Sequence, residues 1–166
     1  MKTKLVFAMA LLSVCILTAC SREVYLYPIQ GPLASQTPPP IYAAKVTGAF
    51  ASGSITATLA NGEVFAGPWK MILVKDRMKS AALGAKGQFS LAAEWDTVYG
   101  QGFYTANVLG TPLFVQAVLT GNQGTVLHVE AYRQEHGSDT DPHSLASPDI
   151  RGVAKDSKGN IFKLAL

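Results

Sequence analysis

The residues best equipped for chemistry in this chain lie between positions 128 and 143. His128, Glu130 and Tyr132 alternate, so they share one face of an extended strand, opposite Leu127, Val129 and Ala131. A histidine beside a carboxylate is the minimum equipment for general acid–base catalysis. The competing reading is a solvated ladder on the polar side of a half-buried strand, because no nucleophile in a recognisable setting accompanies the pair. Just beyond, Glu135-His136-Gly137-Ser138-Asp139-Thr140-Asp141-Pro142-His143 gathers imidazoles and carboxylates. His136, Asp139, Asp141 and His143 are its candidate metal ligands, for zinc or, through the oxygens alone, for calcium. Their spacing fits neither a calcium loop nor the helical histidine pair of zinc proteases, and such clusters also make ordinary surface loops.

Lys70, Lys75, Arg77, Lys79 and Lys86, preceded by Trp69 and offset only by Asp76, form the densest basic run. Such a patch suits an anionic surface, whether lipid headgroups or the carboxylates and phosphates of a cell-wall polymer; the plainer reading is a solvated loop. Trp95, Tyr99, Phe103 and Tyr104 are close enough in sequence to form a sugar-stacking platform or a piece of core. Gly100-Gln101-Gly102 lacks the third glycine and strand-to-helix setting of a dinucleotide site. Neither Gly-x-Ser-x-Gly, Ser-x-x-Lys nor a phosphate-binding loop occurs. An enzyme would therefore have to be built on His128 or on the His136 to His143 loop.

The elements carrying these residues read as strands. Ser54 to Leu59 alternates polar with apolar, Asn61-Gly62 supplies a dipeptide that tolerates positive φ, and Glu63 to Ala66 resumes the alternation: a β-hairpin. A second hairpin joins Leu113–Thr120 to Thr125–Arg133 through Gly121-Asn122-Gln123-Gly124. A third joins Gly152–Lys155 to Asn160–Leu164. Met71 to Lys75 and Gly102 to Leu109 also read as strands, and Leu91 to Tyr99 as a short helix. About seven short strands with turns between them predict an all-β fold, an antiparallel small barrel or sandwich, in a single domain over residues 45–166. Alternation points Ile55, Ala57 and Leu59, with Leu113 to Leu119 and Leu127 to Ala131 at every second position, into one interior. Phe162, Leu164 and Leu166 close it.

Ahead of the domain, Met1 to Ala19 holds Lys2 and Lys4, an apolar run from Leu5 to Leu17 broken only by Ser13, and small residues leading to Cys20. That is the build of an export signal, too short for a comfortable membrane span. Leu17-Thr18-Ala19-Cys20 resembles the lipobox of bacterial lipoproteins. The resemblance implies cleavage between Ala19 and Cys20 and a covalent acyl and diacylglyceryl lipid on Cys20, with no other cofactor. It also implies, from Ser21 after the cysteine, passage to the periplasm-facing side of the outer membrane. Residues 20–44, with Pro28, Pro32 and Pro38-Pro39-Pro40, read as a lipidated cysteine followed by a proline-rich tether. Extended at ~3.1 Å per residue, such a tether would hold the domain some tens of ångströms off the bilayer. Val24-Tyr25-Leu26-Tyr27 is apolar enough to dock on the domain or the membrane instead.

The chain has 14 Lys and Arg against 11 Asp and Glu, and removing Lys2 and Lys4 with the signal leaves 12 against 11. Near neutrality gives no footprint for nucleic acid. Both cysteines, Cys15 and Cys20, are used by the signal, so an exported domain would rely on its core rather than on disulfides. The favoured function is a membrane-anchored envelope lipoprotein that binds or spaces something, either a cell-wall polymer or an envelope protein. The alternatives are a lysozyme-type inhibitor and an enzyme at His128 or His136 to His143. Small lipidated barrels that inhibit lysozyme are similar in outline, but the cysteines common among them are absent here. Cys20→Ala is expected to abolish incorporation of radioactive palmitate and to leave the chain unprocessed or released; a variant that still labels would contradict the lipidation.

Overall fold

A computed structural model describes residues 21–49, 51–83, 89–133 and 150–166. The strands are β1 (Ser21–Gln30), β2 (Tyr42–Ala49), β3 (Ser52–Thr58), β4 (Val64–Met71), β5 (Phe114–Gly121), β6 (Val126–Arg133), β7 (Ile150–Asp156) and β8 (Ile161–Ala165). Each runs antiparallel to the next and β8 pairs back onto β1, so the eight strands close into a barrel. The fold is therefore the all-β antiparallel small barrel expected, with one strand more than the seven foreseen. All three expected hairpins are present as β3–β4, β5–β6 and β7–β8.

Strands β1 and β2 are not among those expected, and β1 replaces the first part of the expected tether. Ser21 to Leu26 pairs with β2, and Tyr25 to Gln30 pairs with β8. The alternation of Val24, Leu26 and Pro28 with exposed or half-buried neighbours satisfies the strand period. Pro28 sits where the β1–β8 register shifts, between Pro28 and Gln30, a bulge being the place in a sheet where a missing amide costs least. The remaining prolines do not extend into solvent either. The segment from Gly31 to Pro40 folds across one end of the barrel, where the Leu33 amide donates to Asn160 Oδ1 at 2.9 Å and its side chain packs on the core.

Two expected strands are helical instead. Met71 ends β4, and α1 (Val74–Leu83) follows, rich in the helix formers Lys, Met, Arg and Ala. Helix α2 (Ala92–Tyr99) matches the expected short helix. Asp96 then accepts from the amides of Gly102 and Tyr104, each at 3.0 Å, which turns the chain into a single π-helical turn over Tyr104–Val108 rather than a strand.

Alternation sorts the wall into two faces. Val24, Leu26, Ala44, Ala57, Leu119, Leu127, Val129 and Leu164 form the core inside the barrel. Glu23, Lys45, Thr56, Thr58 and Lys70 stand on the outer surface. An apolar inside and a polar outside reverse the pattern of a lipid-embedded barrel. A second core lies outside the sheet, where α2 and the π turn cover β5, β6 and β7 with Trp95, Val108, Phe114, Tyr132 and Val153. Phe162 is 1% exposed and its strand closes the barrel between β7 and β1. Phe162→Ala should lower the unfolding free energy by about 3–5 kcal/mol in a denaturant melt; a change below about 1 kcal/mol would deny β8 its closing role.

Candidate functional site

An eight-stranded barrel is just wide enough either to be filled by its own side chains or to hold one small ligand. Here the inward positions include Ala44, Ala57, Ala117 and Ala131, and these small residues leave an apolar cavity of about 220 Å³ in the lumen. Leu26, Leu119, Leu127 and Leu164 line its depth, and among the described residues Arg22 is the single charged one in the lining. About 150 Å³ of apolar cavity is enough to stay dry and admit benzene, so this one has room for a ligand of that kind or somewhat larger.

One end of the barrel is shut. Phe65 and Phe162 are each 1% exposed, and Tyr42 packs edge-on against Phe162 with ring centroids 6.5 Å apart. Below them Glu63 is fully buried, accepting from the Thr125 amide at 3.3 Å and from Lys158 Nζ at 3.0 Å. Burial alone would raise the Glu63 carboxyl, but the bonds from Thr125 and Lys158 outweigh it and hold the group below the ordinary carboxylate range. Asn160 and Asp156, both buried, bond each other in the β7–β8 turn and tie the Gly31–Pro40 crossing to the floor.

The other end is the mouth. It is framed by the start of β1, the β2–β3 connection, the ends of β4, β6 and β8, and the starts of β5 and β7. Trp69 points inward there and donates from its indole to the Thr47 carbonyl at 2.9 Å. Its ring lies against Gly48 and Gly53. A Cβ on Gly53 would stand 2.5 Å from Trp69 Nε1 and one on Gly48 3.1 Å from Trp69 Cζ2, so any side chain at Gly53 would push the indole out of place.

The residues singled out for chemistry lie elsewhere. His128, Glu130 and Tyr132 do share the outer face of β6, but the ladder is not solvated. Glu130 is fully buried, accepting from the Leu91 amide at 3.1 Å and Gln116 Nε2 at 3.0 Å on one oxygen, and from Trp95 Nε1 at 2.9 Å on the other. Burial pushes its carboxyl above the ordinary range, with the bonds from Gln116, Trp95 and Leu91 acting against that rise. Engaged by three donors and sealed from water, it is in no position to exchange a proton with a substrate. His128 packs against Phe89, ring centroids 4.4 Å apart, and its buried Nδ1 has no hydrogen-bond partner among the described residues.

Of the basic run, Arg77 does not face solvent. Arg77 is 4% exposed, donates to the Val108 and Thr111 carbonyls, and lies 4.2 Å above the Phe114 ring; it anchors α1 to the second core. Burial lowers its pKa. Lys70 and Lys75 are exposed, while the side chain of Lys79, and Lys86 altogether, lie outside the described residues. So does the loop bearing His136, Asp139, Asp141 and His143; among the described residues no group of metal-ligating side chains comes together. The aromatic stretch is core rather than platform: Trp95 is fully buried, stacked with Tyr99 at 5.4 Å and Phe103 at 6.1 Å. Reading by sequence placed Ala57, Ala117 and Ala131 inside but missed Arg22 and Val24, because β1 was read as tether. The available signal was the Arg22, Val24, Leu26 alternation. Against protein-family models, curated proteins and solved structures, no match is found for this chain.

Glu130→Leu leaves the Trp95, Gln116 and Leu91 donors without a partner and should cost about 3 kcal/mol or more. The near-ultraviolet dichroism of Trp95 should fall while the sheet signal persists. With its folded-state value raised, Glu130 penalises folding once ionised, so the penalty is absent below the usual value of 4.5 and grows as pH rises above it. Relative to Glu130→Gln, the natural chain should therefore lose stability as pH rises above the usual value of 4.5. A flat difference between the two would contradict the assignment.

Proposed function

We propose that this chain is a lipid-anchored lipoprotein of the cell envelope, held through Cys20 on the periplasm-facing side of the outer membrane. In this reading its barrel is a binding module that takes an apolar ligand in its lumen. The anchor rests on the basic, apolar and small-residue sequence before Cys20 and on Ser21 after it. Several acyl chains, each methylene contributing ~0.8 kcal/mol, would hold the protein on a bilayer for practical purposes permanently. No helix among the described residues is long and apolar enough to cross a membrane.

The observation that carries the binding reading is the cavity of about 220 Å³, lined by aliphatic side chains and open at one end. A well-packed interior has few voids larger than a water molecule. The alanines that create this one forgo the dispersion contacts that leucines at the same places would supply, and a ligand would restore them. The carboxylate of Glu130 is sealed, and among the described lining residues the lumen holds apolar side chains and Arg22. An envelope protein or cell-wall polymer as partner would meet the outer surface, where Lys70 and Lys75 remain exposed.

The chain from Ser21 to Leu166, made without its signal, should enhance the emission of a slender linear polyene dye that lights up in apolar surroundings. Ala117→Phe, or the milder Ala57→Leu, should reduce that enhancement at least fivefold. Equal dye binding by the filled and natural lumens would defeat the proposal.

A further inference from the structure

The open end of the barrel and the expected attachment point of the lipid coincide. Cys20 immediately precedes Ser21, the first residue of β1, and β1 enters the sheet at the mouth. Consecutive Cα atoms are about 3.8 Å apart, so a lipid on Cys20 leaves no spacer between bilayer and mouth. The proline-rich segment that might have supplied one crosses the opposite, closed end. A barrel anchored in this way must present its mouth to the membrane.

The lining describes what enters. From Arg22 to Leu26 along β1 the lumen is four residues deep, roughly 13 Å at ~3.3 Å per residue. Spread over that depth, 220 Å³ suits one slender chain rather than a fused ring system. The walls are apolar, and among the described lining residues the one charge, Arg22, is exposed at the rim. A narrow apolar bore with a cation at its rim is complementary to a single hydrocarbon chain carrying an anionic head.

We infer that the lumen takes the acyl chain of a single-chain anionic lipid, of the fatty-acid class, drawn from the bilayer that holds the protein, with its head at Arg22. This rests on the anchor proposed above. The chain exchanges one apolar medium for another, so the hydrophobic term nearly cancels. Occupancy is set by the contacts regained in the void and by the head at Arg22, which makes loading reversible, as a carrier or sensor of such lipids requires.

The test uses the full mature lipoprotein reconstituted into phosphatidylglycerol vesicles doped with stearate bearing a nitroxide close to its carboxyl end, which a head at Arg22 would hold beside the mouth. Trp69, inward at the mouth, is the reporter, and Trp69→Phe identifies its share of the emission beside that of Trp95. The inference expects Trp69 to be quenched at low probe fractions, Ala117→Phe and Ala57→Leu to abolish the quenching, and Arg22→Gln to raise the half-quenching concentration about tenfold. Arg22 is exposed, so that variant tests the head site without touching the core. A protein that carries lipid by intact mass and floats with the vesicles, yet shows no quenching of Trp69 beyond that of the filled-lumen variants, overturns the inference. That holds whether the lumen is shut or already filled by the acyl group of Cys20. A protein that carries no lipid and does not float overturns the anchor, and with it the bilayer as the source, even if it binds the stearate from solution.

Discussion

Closure of the sheet between β1 and β8 is the constraint on which the remainder of this molecule depends. An open eight-stranded sheet would expose two edges and need a second layer to cover its apolar face. Closing it turns that face inward, and the inward face then covers itself. The diameter is fixed by the number of strands, so the side chains inside decide whether the lumen is solid or hollow. At the closed end phenylalanines and a tyrosine fill it, with Glu63 and Lys158 locked beneath. Beyond them Ala44, Ala57, Ala117 and Ala131 leave room between the larger inward residues, and the interior becomes a cavity.

The outside of the wall carries a second solution to the same burial problem. Strands β5 to β7 present Phe114, Tyr132 and Val153 outward, too apolar to face water, and α2 with the π turn covers them. Covering them also covers Glu130. That carboxylate survives burial because Trp95, Gln116 and the Leu91 amide all donate to it, tying the helix, the segment before it and the wall to a single point. Lys155 and Glu94, 2.6 Å apart, clamp the same helix to β7. Glu130, among the residues with the most chemical appearance in the sequence, thus serves architecture, and the lumen owes its space to chemically inert alanines.

How much of this was legible follows from what each residue's neighbours can reveal. Hairpins built on Asn61-Gly62 or on Gly121 to Gly124 are local: the turn residues and the alternation around them sit within a few positions, and all three were read correctly. Strand β1 was not, since Pro28 and the prolines after it mimic a tether, and only the distant partner β8, with a bulge at Pro28, shows that the chain can pair there. The strands expected at Met71 to Lys75 and Gly102 to Leu109 became helical through contacts that short-range patterning cannot display: Arg77 reaching the Val108 and Thr111 carbonyls, and Asp96 capping the amides of Gly102 and Tyr104. Alternation on β6 told correctly which residues face out. It could not tell that a helix rather than water lies beyond, and so the sealed state of Glu130 was invisible.

The central claim is that the lumen is an accessible apolar cavity rather than a void that the protein collapses. Xenon pressurisation of a crystal of the mature chain asks this most directly, because xenon enters apolar cavities without needing a head group or a partner. The account predicts a strong xenon peak inside the barrel between Ala57, Ala117 and Leu127. Unchanged density there, with Leu119, Leu127 and Leu164 packed across the bore, would contradict it.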